Sequence, residues 1–214
     1  MYIIGHRGAM GHAPENTLAG ISKAIELGAN AVEIDIRPTR DGKIILYHNA
    51  VTPDGHVVSE RTLKTLRREQ KDLATLDEAM DIAGKTQLIV ESKAVGTFAK
   101  SIKVLAKTSN VWTASFLPDE VLASRINLPH HKSFLLKSCP AGIIGKAKNI
   151  DANGIGCNWI WFVLMPYYYK IATKNKLSIY IYPLNIAWIA KLLLKYFPDL
   201  LIVTDYPDNI RGIQ

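Results

Sequence analysis

Short apolar runs that alternate with helical segments constrain the fold of this chain more than any other feature. The runs are rich in Ile and Val and mostly continuous, as in parallel strands that are buried on both faces. Helical patterns separate many of them, and Gly28 and the capping-box spacing from Thr75 to Glu78 mark helix ends. Strands are predicted at Tyr2–Gly5, Ala31–Ile36, Ile44–His48, Gln87–Glu91, Val111–Ser115, Ser133–Leu136, Gly154–Cys157, Ser178–Tyr182 and Leu200–Thr204. Helices are predicted at Asn16–Leu27, Ala79–Ala83, Pro118–Ala123, Pro166–Lys174 and Ile186–Tyr196.

This alternation predicts an α/β fold, and about eight strand–helix repeats predict a closed (β/α)8 barrel. The nine strand candidates are one more than such a barrel needs, and the surplus falls at Ile44–His48. The preceding Asp41-Gly42 turn favours a hairpin, whereas a parallel crossover needs about a dozen residues, so the direction of this strand stays open. The sequence contains no linker or repeat, and we expect one domain over residues 1–214 with a short excursion around residues 49–74.

Composition excludes several classes of protein. With 214 residues and 48% hydrophobic side chains, the chain can bury a sizeable core. Two cysteines, Cys139 and Cys157, are too few for a disulfide framework or a structural zinc site. The longest uninterrupted apolar stretch, Trp159 to Met165, is far shorter than the roughly 20 residues of a membrane-spanning helix. Because the first apolar run is also too short for a secretory signal, we expect a soluble cytoplasmic protein.

The charge balance favours an anionic partner. Lys and Arg total 26 against 19 Asp and Glu, which gives a formal charge of +7. Phosphate esters, nucleic acids and anionic membranes all suit such a balance, and so does a lysine-rich surface with no partner. The sequence has no run of five or six basic residues, so we expect no nucleic-acid partner.

Polar side chains cluster near the predicted strand ends, where barrel enzymes carry their active sites. His6 offers a proton-transfer group next to Arg7, whose guanidinium can bind phosphate with two hydrogen bonds. Glu33 and Asp35 are two residues apart in a predicted strand, so both carboxylates project from one face. Two buried carboxylates need a cation between them, either Mg²⁺ or Ca²⁺ or a Lys or Arg side chain.

Two further strand ends add to this inventory. His48 is either a polar cap or a catalytic group, and Glu91 and Lys93 are either an ion pair or a third carboxylate and a second phosphate contact. Two histidines, three carboxylates and two cations on one barrel suit metal-assisted cleavage of a phosphodiester. The cations stabilise charge on the phosphoryl oxygens, while one histidine removes a proton and the other protonates the leaving oxygen.

The order and spacing of these motifs resemble those of the glycerophosphodiester phosphodiesterases. The matching motifs are His6-Arg-Gly, Pro14-Glu-Asn-Thr, Glu33-x-Asp35, Asp41-Gly42, His48, Glu91-x-Lys93, Ser115-Phe116 and Thr204-Asp-Tyr-Pro207. The resemblance implies a distorted (β/α)8 TIM barrel that hydrolyses small glycerophosphodiesters to glycerol 3-phosphate and an alcohol.

The resemblance also implies roles for individual residues. His6 and His48 would be the acid and base, in an order that the sequence leaves open. Glu33, Asp35 and Glu91 would bind one divalent cation, Mg²⁺ or Ca²⁺. Arg7 and Lys93 would contact the phosphate, Glu15 and Asn16 would brace the His6 loop, and Phe116 and Tyr182 would line the pocket.

The chain departs from the family pattern at several positions. Asn49 follows His48 where the family has Asp, and Tyr182 stands where the family has Trp. The region from Asn49 to Thr86, where the family has a capping insertion, is also short, which predicts an open pocket. Two alternatives therefore stay open: cleavage of lysophospholipids, and a weakened barrel that only binds phosphodiesters or membranes. The aromatic segment at residues 159–169 either packs in the core or, with the nearby lysines, makes a weak contact with a membrane surface. The sequence leaves the oligomeric state open.

Overall fold

Eight parallel strands close into a barrel in the computed structural model, which describes residues 2–212. The strands are β1 (Tyr2–Gly5), β2 (Ala31–Pro38), β3 (Ile44–Leu46), β4 (Gln87–Ser92), β5 (Val111–Ser115), β6 (Ser133–Leu136), β7 (Gly154–Asn158), β8 (Ser178–Tyr182) and β9 (Leu201–Thr204). The sheet runs in the order β1-β9-β8-β7-β6-β5-β4-β2, and pairing of β1 with β2 closes it. The predicted (β/α)8 barrel is thereby confirmed.

The ninth strand, β3, forms an antiparallel hairpin with the end of β2 and lies outside the barrel. Ile36 pairs with Leu46 and Pro38 with Ile44 across the turn. This answers the question of direction that the sequence left open. The strand ends at Leu46, so His48 follows it on a loop and is not its last residue.

Helices connect the strands around the outside of the barrel. They are α1 (Leu18–Glu26), α2 (Leu63–Glu69), α3 (Leu76–Ala83), α4 (Thr97–Leu105), α5 (Pro118–Asn127), α6 (Ile143–Asn149), α7 (Trp159–Leu164), α8 (Tyr167–Lys174), α9 (Ala187–Tyr196) and α10 (Pro207–Arg211), with a short 3-10 helix at Val58–Glu60. The capping box predicted at Thr75 and Glu78 is present at the start of α3. Within residues 2–212, none of the helices has the length and apolar character that crossing a bilayer requires.

Large aromatic side chains fill the interior of the barrel on one side. Phe134 and Tyr180 pack with their ring centroids 5.5 Å apart, on strands that flank β7. A Cβ atom on Gly154 would lie 2.4 Å from the Phe134 ring, and one on Gly156 would lie 3.0 Å from the Tyr180 ring. The two glycines of β7 therefore leave the space that these rings occupy.

The outward faces of the strands pack on the helices in two separate cores. One core joins β2 and β4 to α1, α3 and α4, and it includes Val32, Ile34, Val90 and Phe98. The other joins β7 and β8 to α6, α8 and α9. The strands are thus buried on both faces, which accounts for their continuous apolar sequence.

Candidate active site

The predicted site residues meet at the end of the barrel where the parallel strands finish. His6 follows β1, Asp35 lies in β2, Glu91 lies in β4 and Lys93 follows β4. Asp205 follows β9, which is the other neighbour of β1. Because parallel strands all end on the same side, residues distant in sequence share one rim, which we call the mouth of the barrel.

Three carboxylates form an acidic cluster inside the mouth: Glu33, Asp35 and Glu91. In β2, Val32 and Ile34 face the helices, which turns Glu33 and Asp35 to the barrel interior. Asp35 is paired in register with Glu91 on β4. One oxygen from each carboxylate lies within 4.8 Å of the others, and all three residues are buried.

Burial and mutual repulsion shift the pKa values of this cluster. Burial, reinforced by the charges of Asp35 and Glu91, raises the pKa of Glu33 well above its ordinary value. Burial and the Asp35 charge raise the pKa of Glu91 to about 7. Burial also opposes ionisation of Asp35, but the positive charges of Lys93 and Arg7 outweigh it and hold the pKa of that carboxyl below its ordinary value.

The acidic cluster fits a hard divalent cation. Oε1 of Glu33 is buried and has no hydrogen-bond partner among the described residues. A buried carboxylate oxygen without a partner is costly, and Mg²⁺ and Ca²⁺ bind carboxylate oxygens by preference. A cation between the three carboxylates would give Oε1 of Glu33 a binding partner. It would also reduce the repulsion that helps to raise the pKa values of Glu33 and Glu91.

Two positively charged side chains border the acidic cluster. Lys93 Nζ lies 3.0 Å from Asp35 Oδ1 and also contacts Glu91 Oε1. Arg7 Nε lies 3.2 Å from Asp35 Oδ2. Both cations therefore lie on the Asp35 side of the cluster, and Glu33 keeps an oxygen free for a further ligand.

The loop that carries His6 and Arg7 is held by hydrogen bonds from several directions. The Arg7 backbone N–H donates to Glu33 (2.8 Å), and Arg7 Nη1 donates to Glu15 (2.7 Å). Asn16 binds Asp35 twice, because its amide donates to Oδ2 and its oxygen accepts from the Asp35 backbone N–H, both at 2.9 Å. Arg7 and Asn16 have φ values of 48° and 56°, in the left-handed region that non-glycine residues rarely adopt. These hydrogen bonds hold both residues in that strained conformation.

His6 is the first member of a hydrogen-bonded chain. Its Nδ1 lies 2.6 Å from Asp205 Oδ1, and Asp205 Oδ2 accepts a bond of 2.6 Å from Asn185 Nδ2. Burial alone would raise the pKa of Asp205, but the bonds from His6 and Asn185 outweigh it, so the pKa is lowered. An ionised carboxylate only accepts, so Nδ1 of His6 carries a proton, and Nε2 is the ring nitrogen that does not contact Asp205.

His48 has a different partner. Its Nδ1 lies 2.8 Å from Oδ1 of Asn49, the residue that departs from the family pattern. Its backbone oxygen accepts a bond of 3.0 Å from Arg37 Nε, which fixes the loop. Burial lowers the pKa of His48, although the charge of Asp35 opposes this shift. The amide of Asn49 can orient the imidazole, but it has no charge with which to stabilise an imidazolium.

Two aromatic rings lie beside Lys93 at the mouth, and two cavities lie along the excursion. Phe116 and Tyr182 meet edge to face with centroids 5.8 Å apart, and Lys93 Nζ lies 5.6 Å from the Phe116 ring centroid. A cavity of about 230 Å³ adjoins His48. Its lining shares Tyr47, Pro53 and Gln70 with a cavity of about 340 Å³ beneath residues 52–73.

Sequence reasoning assigned no role to Asp205 or Asn185, which connect to His6. The signal that could have found Asp205 is its position directly after the last predicted strand, at the same end of the barrel as His6. Asn185 follows β8 by three residues and has no comparable signal.

Comparison with known sequences connects the chain to one family. The sequence model of the glycerophosphoryl diester phosphodiesterase family matches residues 6–112. A glycerophosphodiester phosphodiesterase of Caldanaerobacter subterraneus subsp. tengcongensis is 36% identical over 70 residues, which is 31% of this chain and 29% of that protein. The match therefore spans less than a third of the length of that relative.

Solved structures match over nearly the whole chain. A glycerophosphodiester phosphodiesterase from Thermotoga maritima superposes with a TM-score of 0.87 at 21% identity and covers 100% of this chain and 98% of that one. An Oleispira antarctica phosphodiesterase in complex with the product sn-glycerol-3-phosphate has the same TM-score at 22% identity, and covers 99% and 96%. At such identities the likeness establishes a shared barrel fold.

Proposed function

Since this chain belongs to the glycerophosphoryl diester phosphodiesterase family, whose sequence model matches half of its length, we propose that it hydrolyses glycerophosphodiesters to glycerol 3-phosphate and an alcohol. The observation that carries this proposal is the convergence of Glu33, Asp35 and Glu91 within 4.8 Å, with His6 and His48 on adjoining loops. The Oleispira relative with bound sn-glycerol-3-phosphate is consistent with this product.

In the proposed reaction, Glu33, Asp35 and Glu91 hold one divalent cation, Mg²⁺ or Ca²⁺. When bound, this ion supplies positive charge that polarises a phosphoryl oxygen of the diester. Arg7 and Lys93, on the Asp35 side of the cluster, contact the remaining phosphoryl oxygens and stabilise the charge that develops there.

The two histidines move the protons. One takes a proton from the attacking nucleophile, and the other gives a proton to the oxygen of the leaving alcohol. The Asp205 carboxylate accepts a hydrogen bond from Nδ1 of His6 and fixes that ring, whereas burial lowers the pKa of His48 and so favours its neutral form. These environments support His48 as the base and His6 as the acid in the first step.

The remaining site residues position the substrate. Glu15 and Asn16 hold the loop of Arg7, and Phe116 and Tyr182 form a wall of the pocket. The cavity of about 230 Å³ beside His48 offers space for the alcohol part of the diester.

The test is release of glycerol 3-phosphate from glycerophosphocholine and glycerophosphoethanolamine, with Mg²⁺ or Ca²⁺ supplied. We expect release that stops when the ion is chelated and resumes when it is restored. A product of lysophospholipid cleavage, without release from the soluble diesters, would assign the alternative lipid activity. No release above that of His6→Ala with either ion would refute the proposal.

A further inference from the structure

An exposed apolar surface lies next to the mouth of the barrel, outside the site described above. We call it the apolar rim; it consists of Ile160, Trp161, Val163, Leu164, Tyr167, Ile186 and Trp188. Trp188 is 69% exposed and Leu164 is 65% exposed. Isolated apolar residues are common on protein surfaces, but a cluster with two tryptophans marks an interaction site.

The topology places the rim at the mouth. Helix α7 begins directly after the last residue of β7, and the Asn158 side chain caps its first turn. Trp188 is the second residue of α9, which follows the last residue of β8, Tyr182, after a short loop. Phe162 anchors this part of the surface, since its ring meets that of Phe197 at 5.2 Å in the core below. Four of the seven rim side chains are thus held outward on a helix whose inner face is fixed.

Charge is distributed unequally along the chain. Residues 126–198, which we call the basic region, contain nine lysines and one aspartate, whereas the rest of the chain has 17 basic and 18 acidic residues. The nine lysines account for the whole excess of positive charge on this protein. Within the part of the chain that the structure describes, none of them forms an ion pair. Lys170 and Lys191 are exposed one helical turn after the rim residues Tyr167 and Trp188 on α8 and α9.

We propose that the apolar rim and the lysines around it dock the mouth of the barrel on an anionic lipid bilayer. Tryptophan, tyrosine and large aliphatic side chains insert at the boundary between lipid headgroups and acyl chains, and exposed lysines are attracted to anionic headgroups. A second copy of the chain would bring two sets of unpaired lysines together, which like-charge repulsion opposes. The aliphatic residues of the rim favour lipid over nucleic acid, whose bases stack on aromatic rings.

Docking in this orientation brings the mouth of the barrel to the level of the headgroups. The residues of the rim take no part in the proposed chemistry, so the inference goes beyond the proposed function and is tested without it.

The experiment is co-sedimentation of the full chain with vesicles that contain phosphatidylglycerol and phosphatidylcholine. Vesicles of phosphatidylcholine alone and a series of salt concentrations measure the electrostatic contribution to binding. We expect binding to the anionic vesicles, weaker binding to the neutral ones, and a decrease as salt screens the lysines.

Two double variants separate the rim from exposed apolar surface in general. The rim variant, Trp188→Ala with Leu164→Ala, removes side chains that are 69% and 65% exposed. The control, Ile126→Ala with Tyr196→Ala, removes side chains that are 69% and 64% exposed at the far ends of α5 and α9. Tyr196 lies about 12 Å along α9 from Trp188. We expect the rim variant to lose roughly tenfold or more in vesicle affinity, and the control to keep it.

Thermal unfolding and hydrolysis of a soluble diester show whether each variant is folded and active, and we expect both properties to be unchanged. Absence of sedimentation with anionic vesicles would overturn the inference, and so would equal losses in the two double variants. A dimer in analytical ultracentrifugation that the rim variant dissociates would also overturn it, because a second copy would then be the occupant. Failure of the proposed hydrolysis would leave these binding results unaffected.

Discussion

In the N-terminal part of the barrel, charged side chains at the mouth are paired and buried. Arg7 and Lys93 both lie against Asp35, and the Asn16 amide donates a hydrogen bond to the same carboxylate. In the basic region, residues 126–198, most lysines are exposed and none forms an ion pair among the described residues, and the same stretch of chain carries apolar side chains that face outward. The family sequence model matches residues 6–112, whereas the barrel fold matches throughout.

If both proposals hold, the paired charges at the mouth serve hydrolysis, and the exposed lysines and the apolar rim serve binding to a membrane. The electrostatic interaction between two charges is strongest where water is excluded, and buried charged side chains hold each other at fixed distances. Exposed lysines are screened by salt and fix no geometry, but they add up to a long-range attraction for an anionic surface. Changes to the paired charges at the mouth should therefore affect turnover and pH dependence, and changes to the exposed lysines of the basic region should affect only association.

The largest effect is expected from His6→Ala. Removing a proton-transfer group should lower kcat by roughly a hundredfold to ten-thousandfold. His12 provides a matched control, because its Nε2 pairs with Asp208 at 2.8 Å much as His6 pairs with Asp205, but at an exposed position. Steady-state kinetics should show His12→Ala close to wild type. Equal losses of kcat in the two variants would mean that activity does not depend on the position of His6 at the mouth.

Glu33→Gln should change activity and stability in opposite directions. Hydrolysis should fall by roughly a hundredfold or more, because a ligand of the ion is lost. The metal-free protein should become more stable, since an amide replaces a buried carboxylate whose Oε1 has no partner.

Glu120→Gln is the matched control for that stability gain. Glu120 is equally buried, but it accepts hydrogen bonds from Ser92 Oγ and from the backbone N–H groups of Gly96 and Phe98. Its substitution should therefore lower the melting temperature in scanning calorimetry. If Glu33→Gln also lowered it, the account of an unsatisfied carboxylate would be wrong.

The stability of the metal-free protein should decrease as the pH rises from about 4.5 to about 7. The pKa of Glu91 is 4.5 in its ordinary state and is raised to about 7 in the folded protein, so the folded state binds more protons in this window. Under that condition the free energy of unfolding falls with rising pH. Denaturant unfolding in chelator should show this slope, and adding Mg²⁺ or Ca²⁺ should weaken it. A slope of the opposite sign, after Glu91→Gln is used to subtract the other groups, would contradict the assignment.

Asn49→Asp should shift a pH profile without changing the fold. A carboxylate at this position would stabilise the His48 imidazolium, so the limb of the kcat profile that reports His48 should move up by about one pH unit or more. Asn49→Ala removes the same hydrogen bond and adds no charge, so it should produce no upward shift. Identical profiles for the two variants would show that the partner of His48 is irrelevant to its titration.

The smallest effect on chemistry is expected in the basic region. Lys170→Gln with Lys191→Gln should leave hydrolysis of glycerophosphocholine nearly unchanged and weaken sedimentation with anionic vesicles. Loss of hydrolysis in this variant would remove the distinction between the two parts of the barrel.

Much of this architecture could be predicted because buried strands have a recognisable pattern of apolar residues in the sequence. The nine strands appear as continuous apolar runs, and the spacing of Glu33 and Asp35 places both on one face. Helices α4 and α6 were missed because they begin after Gly96 and Gly142, which adopt left-handed conformations and provide no side-chain cap. Helix α7 was missed because it is apolar on every side and has no helical period.

The connections between distant segments could not be predicted. Asp205 binds His6 across 199 positions of sequence, and only closure of the barrel brings β1 and β9 together. The exposure of Trp188 and Leu164 could not be predicted either, since an apolar residue at the mouth can face the core or the solvent equally well. Local patterns identify what is buried within an element, whereas tertiary packing decides which elements meet.

The most direct test of the central claim is calorimetric titration of Mg²⁺ and of Ca²⁺ into the chelator-treated chain and into Glu33→Gln. The claim is that Glu33, Asp35 and Glu91 form a cation site on which hydrolysis depends. We predict that one of the two ions binds the wild-type chain at one site, restores glycerol 3-phosphate release over the same concentration range, and binds Glu33→Gln much more weakly. Equal binding by both proteins, or full hydrolysis by the chelated chain, would contradict it.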